Sequence, residues 1–426
     1  DVGHHLDAKA IARVRKPGAP VVIAANGSKV VPDGIVMANG ATREVAGITV
    51  EATPAYDVTP GESFHPKAEA NGYTGTTSVQ GSAVLDLART GAASLPGNLT
   101  VAGQGAVVLQ AGEQIADTAT VTLNGSGQGG TDALQFAAAG MTETIGALAG
   151  SGTLGLAGSR LVVGSGDFTG QIRDNGATGG GLEKTGSGTL RLSGANSYSG
   201  ATTVSGGTLQ AGAANAFSAA SAHNVAAGAV LDTGGFNQTV ASLSNSGTVS
   251  LVGSTPGSSL TVNGAYVGNN GVLRIGASLN ATGPADQLVL NGAGASAGGH
   301  TTVQVTNLGG LGALTTRAGN EVVAARNGAT TTAQTTRDAF ALSGGHVDAG
   351  AYEYQLAAAD QNGVGGSGYL RWHSTVVAPV DPSEPPKPSP SSTPQEQPRY
   401  RAEVPMFSAL PAQLRQADMA MLGNLH

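Results

Sequence analysis

The chain is 426 residues long, carries a formal net charge of −7, and contains 67 glycines, 12% charged residues, 4% aromatics and no cysteine. The missing cysteine excludes disulfides, thiolate metal sites and thiol nucleophiles. The acidic balance argues against nucleic acid as a partner, because phosphate contacts need a basic face.

Residues 1–18 hold His4, His5, Lys9, Arg13, Arg15 and Lys16 and read as a basic arm, with a helical turn or two predicted over 8–14. Strands are predicted over 21–25, 35–38, 48–52 and 78–87, separated by the turn dipeptides Asn26-Gly27, Asp33-Gly34, Asn39-Gly40 and Asn71-Gly72. The proline- and charge-bearing stretch 54–69 reads as an exposed loop.

From about residue 91 to 310, Gly-Thr-Leu or an equivalent recurs, ending at Leu154, Leu190, Leu209, Val230, Val249 and Leu273. The successive gaps are 36, 19, 21, 19 and 24 residues, and the first is expected to hold an extra coil around 161–163. Between glycines the residues alternate: Leu190 and Leu192 face one side and Arg191 the other, the period of a strand with one buried face. Such spacing predicts a parallel β-helix. Coils stacked about 4.8 Å apart bury together an apolar face that no coil buries alone.

Residues 311–373 change character. Charges return at Arg317, Glu321, Arg326, Arg337 and Asp338, and aromatics gather at Phe340, Tyr352, Tyr354, Tyr369 and Trp372. A solenoid end needs an anchored cap, and this segment is the expected one. Prolines then crowd 374–399, a semi-extended linker, and 400–426 carries a predicted helix over 409–422. The expected organisation is therefore an arm (1–18), a β-helix (19–310), a cap (311–373), a linker (374–399) and a terminal helical segment (400–426).

The run Leu182, Lys184, Gly186, Gly188, Thr189, Leu190, Leu192, Gly194, Asn196, Tyr198, Gly200, Thr202, Val204, Gly207 and Leu209 resembles the passenger-associated transport repeat of autotransporters, the type V secreted proteins of Gram-negative bacteria. Residues 311–373 look like the autochaperone region that ends such passengers. The proline linker and terminal helix look like the segment leading into the outer-membrane β-barrel, whose strands are absent here and would follow His426. The resemblance implies a right-handed β-helical passenger that transits the periplasm and is displayed on the cell surface or secreted. Asp1 at the start reads as the mark of a processed or excised form. A cysteine-free chain fits passage through a narrow pore in the unfolded state.

The sequence offers little chemistry. Gly294-Ala295-Ser296-Ala297-Gly298 matches the nucleophile-elbow pattern, but a glycine-rich stretch follows where a helix is required. Gly125–130 and 363–368 fit Gly-x-Gly-x-x-Gly without opening a predicted helix. Residues 127–135 resemble a calcium-binding nonapeptide, with Asp132 and Leu134 in place and Gln128 breaking it, and such sites need stacked copies. No cofactor, metal or catalytic residue is predicted.

The expected function is that of a non-enzymatic virulence factor binding a host protein or host cell surface, as an adhesin or by capture of a serum or complement regulator, and a monomer is expected. Two alternatives stand beside it: a hydrolase with a site built across coils, and a self-associating aggregation or biofilm factor. Interface anchors are mostly aromatic and arginine side chains. Outside the cap these concentrate in the first 90 residues, which makes Arg13, Arg15, Arg43, Tyr56, Phe64, His65 and Tyr73 the predicted contacts, with the coils as a stalk.

Overall fold

The computed structural model describes residues 74–127, 129–281, 283–315, 319–329, 339–358, 368–371, 373–376, 395–404, 409–414 and 416, together with the backbone of four short strands upstream. Nearly every element is a strand. The chain divides into two compact units, Asp1–Glu183 with Asn196–Gly200, and Lys184–Ala195 with Ala201–His426.

In the first unit, Val22–Ala24 pairs in parallel with Ile35–Met37, and Thr42–Val45 forms an antiparallel hairpin with Ile48–Glu51. The strand at 42–45 is one the sequence reading did not anticipate. The predicted strand over 78–87 is two strands, Thr77–Val79 and Val84–Leu87, divided by a turn in which Gly81 has φ 64°. The predicted helical turn at 8–14 and loop at 54–69 lie outside the described residues.

Coils follow. One wall pairs Thr77–Val79, Leu99–Gly103, Thr120–Gly125, Thr142–Gly150 and Arg160–Phe168 in parallel. The other pairs Val84–Leu87, Ala106–Leu109, Leu134–Phe136, Thr153–Gly155 and Gln171–Arg173 in the same sense. Leu154 stacks in this second wall between Leu134 and Ile172, all fully buried. The extra coil expected around 161–163 is present, with Leu161 and Val163 buried.

The second unit carries the clearest column. Leu190, Leu209, Leu231, Val249, Leu273 and Val303 stack rung on rung and are buried. Each contributes roughly 1.5–3 kcal/mol by burial. Here the structure corrects one position: Leu231, not Val230, occupies the column, and Val230 sits in the outward row with Thr208 and Thr248. The reason lies in the turn. The carbonyl of Ala229 accepts the Thr248 N–H, as that of Gly207 accepts Val230 and that of Gly247 accepts Val272. Ala229 thus stands where the repeat has glycine, and counting from Gly228 misplaces the strand by one residue.

Another wall of this unit runs Gln238–Val240, Ser259–Val262, Gln287–Asn291 and Asn320–Arg326 in parallel, then reverses. Gly368–Arg371 pairs antiparallel with Asn320–Arg326, Tyr352–Ala358 with Gly368–Arg371, and Val347–Ala349 with Tyr352–Ala358. Antiparallel strands cover the edge a parallel stack would leave open. The aromatics of this segment serve separate contacts. Phe340 stacks on Tyr266 with ring centroids 5.4 Å apart, while the buried Tyr354 hydroxyl donates to the Ala313 carbonyl at 2.7 Å and accepts its N–H at 2.9 Å. The side chains of Tyr369 and Trp372 lie outside the described residues. Residues 409–414 and 416 are helical, within the span predicted for the terminal helix.

Candidate binding surface

Strand alternation makes each wall apolar inside and polar outside. In the second unit the outward row beside the leucine column reads Arg191, Gln210, Asp232, Ser250, Arg274 and Gln304. Its members bond along the stack: Gln210 Nε2 donates to Asp232 Oδ2 at 2.8 Å, and Arg274 Nε to Gln304 Oε1 at 3.3 Å. A second polar ladder lies at a turn, where Asn327 Nδ2 donates to Asn291 Oδ1 at 2.7 Å and Asn291 Nδ2 to Asn263 Oδ1 at 2.9 Å. In the first unit the outward row is Asp86, Val108, Gln135, Gly155 and Arg173.

Four of the buried ionisable groups are engaged with the backbone. Glu143 is fully buried and accepts the N–H groups of Gln114 and Ile115 at 2.8 and 2.7 Å. Burial pushes its carboxyl up to about 7; the two backbone N–H groups oppose that rise, and the charges of Glu113 and Asp117 add to it. Asp286 accepts the N–H groups of Gly257, Ser258 and Gly276 and the Ser258 hydroxyl, all between 2.8 and 3.0 Å. The buried Lys184 ammonium donates to the carbonyls of Thr185, Gly186 and Gly206, and burial lowers its pKa. His223 has Nδ1 3.1 Å from the Ser221 carbonyl, and burial holds the imidazole down at about 4. Glu143, Asp286 and Lys184 fasten turns and coils to one another, while His223 bonds a carbonyl two residues away in its own coil. Sequence reading missed all four, because each is met by backbone groups that no side-chain motif encodes.

The sequence motifs resolve into structure. Ser296 and His300 both lie on the strand Ser296–Asn307, so Ser296 occupies no strand-to-helix turn. The glycine-rich run at 125–130 leads toward the strand Leu134–Phe136 and opens no helix. Asp132, the acidic position of the calcium-like nonapeptide, is paired with Arg173. Among the described residues, no three His, Asp or Glu side chains come together to hold a metal ion.

Of the predicted contact residues, Arg43 lies on the hairpin strand Thr42–Val45, opposite Val50. Arg13, Arg15, Tyr56, Phe64, His65 and Tyr73 lie outside the described residues. Large exposed apolar side chains among the described residues include Leu311, 90% exposed, Phe236 and Tyr400, and the sequence reading had singled out none of them as contacts.

Two family models match the chain. The passenger-associated transport repeat covers residues 182–211, and the type 1 autochaperone domain covers 238–356, beginning in the coils well upstream of Leu311. The probable autotransporter YfaL of Escherichia coli K12 is 40% identical over 143 residues, 33% of this chain and 10% of that protein. The adhesin BmaC autotransporter of Brucella suis biovar 1 is 35% identical over 195 residues, 42% of this chain and 5% of that protein. The uncharacterized protein YdeU of E. coli K12 is 35% identical over 157 residues, 36% of this chain and 30% of that protein. The chain thus spans less than a third of the length of these relatives. Parallel β-helical coils, a match to the transport repeat at 182–211 and a match to the autochaperone domain at 238–356 give the chain the passenger features of autotransporters, proteins that transit the periplasm and are displayed at the outer membrane or secreted.

Proposed function

We propose that this passenger is a non-enzymatic virulence factor that binds a host protein or host cell surface, and that its contacts are concentrated in residues 1–90. The observation that carries the reading is the 35% identity to a passenger named as an adhesin. The fate of the buried ionisable groups agrees with it. Glu143, Asp286 and Lys184 spend their hydrogen-bonding capacity on backbone groups, so none is positioned as a general acid or base toward a bound molecule. The outward row beside the leucine column carries no aromatic side chain, and its arginines Arg191 and Arg274 are held in hydrogen bonds to Gly212 and Gln304, which leaves it poor in anchors. Arginine and aromatic side chains in the first 90 residues supply them at Arg13, Arg15, Arg43, Tyr56, Phe64, His65 and Tyr73.

The test is adhesion of bacteria displaying the full passenger to cultured host cells, beside bacteria displaying a variant with those seven residues changed to alanine. Equal surface display with roughly tenfold weaker adhesion is the expected result, since a few anchors carry most interface energy. Undiminished adhesion by the variant moves the contact onto the coils or the cap. No adhesion by the unaltered passenger, together with self-association in sedimentation, replaces host binding by aggregation.

A further inference from the structure

The hairpin Val347–Ala349/Tyr352–Ala358 and the strand Gly368–Arg371 pair only through residues 355–358, with Gln355 opposite Arg371. Beyond that point the two backbones need other partners. The chain supplies one from the far side of the proline-rich stretch. Gln395–Pro398 pairs antiparallel with His373–Val376, with Pro398 opposite His373. The next three residues then cross to the hairpin. The Glu353 N–H donates to the Arg399 carbonyl and the Arg401 N–H to the Ala351 carbonyl, both at 3.1 Å. Tyr400 stands opposite Tyr352, their rings stacked with centroids 5.5 Å apart. Charges flank the stack: Arg399 lies 3.2 Å from Glu353, and Arg401 lies 3.4 Å from Asp348.

We propose that residues 395–401 are a clasp that completes the cap. The cap presents an acceptor edge built to take one extended segment of basic–aromatic–basic sequence, and this chain fills it in cis. Three features match donor to acceptor. The backbone of 351–353 offers one donor and one acceptor to the incoming strand, the pairing used in β-strand addition. Tyr352 offers a ring between two carboxylates, Asp348 and Glu353, and the clasp places a ring between two guanidinium groups against them. The intervening residues 377–394 contain seven prolines, which restrict the open chain and so lower the entropy lost on closing. Opening the clasp exposes the edge at 351–353 and the strand His373–Val376 together, and makes the cap receptive to an extended segment from a second copy.

Amide hydrogen exchange on the full chain tests this. Wild-type Glu353 should be protected. Arg401→Pro removes the N–H that bonds Ala351 and should speed Glu353 exchange by roughly tenfold or more, while amides of the Leu209 and Leu231 rungs keep their protection. Should Arg401→Pro unfold the coils as well, the double variant R399A/Y400A keeps every backbone donor. It removes the ring and one guanidinium, and the same selective loss at Glu353 is expected. Y400F retains the stack and should leave Glu353 protected. An unprotected Glu353 amide in the wild-type chain, or unchanged exchange in both disrupting variants with folded coils, overturns the proposal.

Discussion

Asp132 and Arg173 meet across an intervening coil. The carboxylate Oδ1 lies 2.8 Å from the guanidinium Nε, and the residue in the outward row between Gln135 and Arg173 is Gly155. A methyl group at Gly155 would stand 2.2 Å from Asp132 Oδ2 and 2.9 Å from Asn175 Cβ. The bridge exists because the middle coil has no side chain there. With Asp132 buried and the Arg173 side chain 37% exposed, the pair itself is worth little after solvent screening, so the constraint is mostly one of space.

Gly155→Ala should therefore destabilise the first unit by about 1–3 kcal/mol, the usual cost of overpacking. Asp132→Ala removes the atom that the new methyl would strike. In urea denaturation, the double variant G155A/D132A should lose clearly less than the sum of the two single losses. Strict additivity would show that Asp132 does not fill the space over Gly155.

The outward placement of Val230 makes a second prediction. Leu231→Ala empties a fully buried rung and should cost about 2–5 kcal/mol. Val230→Ala, in the half-buried row with Thr208 and Thr248, should cost under about 1 kcal/mol. Thermal denaturation of the two variants checks the register directly, and a reversed order of losses would return the strand to the other parity.

His223 makes the second unit acid-sensitive. Its imidazole titrates near 4 when folded against an ordinary 6.5, so between those values the unfolded chain binds the proton more readily. Stability from this group is complete above pH 6.5 and declines as pH falls toward 4, by about 3 kcal/mol in all. His223→Leu, which matches Leu243 on the next rung, should flatten that decline in denaturant midpoints measured from pH 7 to 4.

Glu143 gives the first unit the opposite slope. Its carboxyl titrates near 7 when folded against an ordinary 4.5, so the folded state holds the proton more tightly. The contribution is complete below pH 4.5 and is lost as pH rises through 7, again by about 3 kcal/mol. Glu143→Gln resembles the protonated acid, which can accept fully from only one of the two N–H groups. Local opening measured by hydrogen exchange at Gln114 and Ile115 should depend on pH between 5 and 8 in the wild type and lose that dependence in the variant, after correction for intrinsic exchange.

What the sequence determined by itself is whatever local periodicity encodes. Alternation within 189–192 and 208–211 determined which side chains of a strand point inward, and the recurring glycines determined that strands end in turns and stack as coils. The run 182–209 also carries the resemblance to the autotransporter transport repeat, and that resemblance, not the periodicity, implies export. Only the tertiary structure decided matters that depend on the neighbouring coil. Whether Val230 or Leu231 joins the column depends on one residue in a turn, and turns carry no period. Leu154 belongs to the wall of Leu134 and Ile172 because sheets form between coils, not along the chain. Glu143 finds its partners at Gln114 and Ile115, and Asp286 finds its partners at Gly257, Ser258 and Gly276. These are backbone N–H groups, which every residue but proline possesses and which therefore leave no mark in a sequence. The clasp is the extreme case. Its strand lies beyond a proline-rich stretch that reads as the end of the fold, and it joins the cap through backbone pairing of 399–401 with 351–353 and the stacking of Tyr400 on Tyr352.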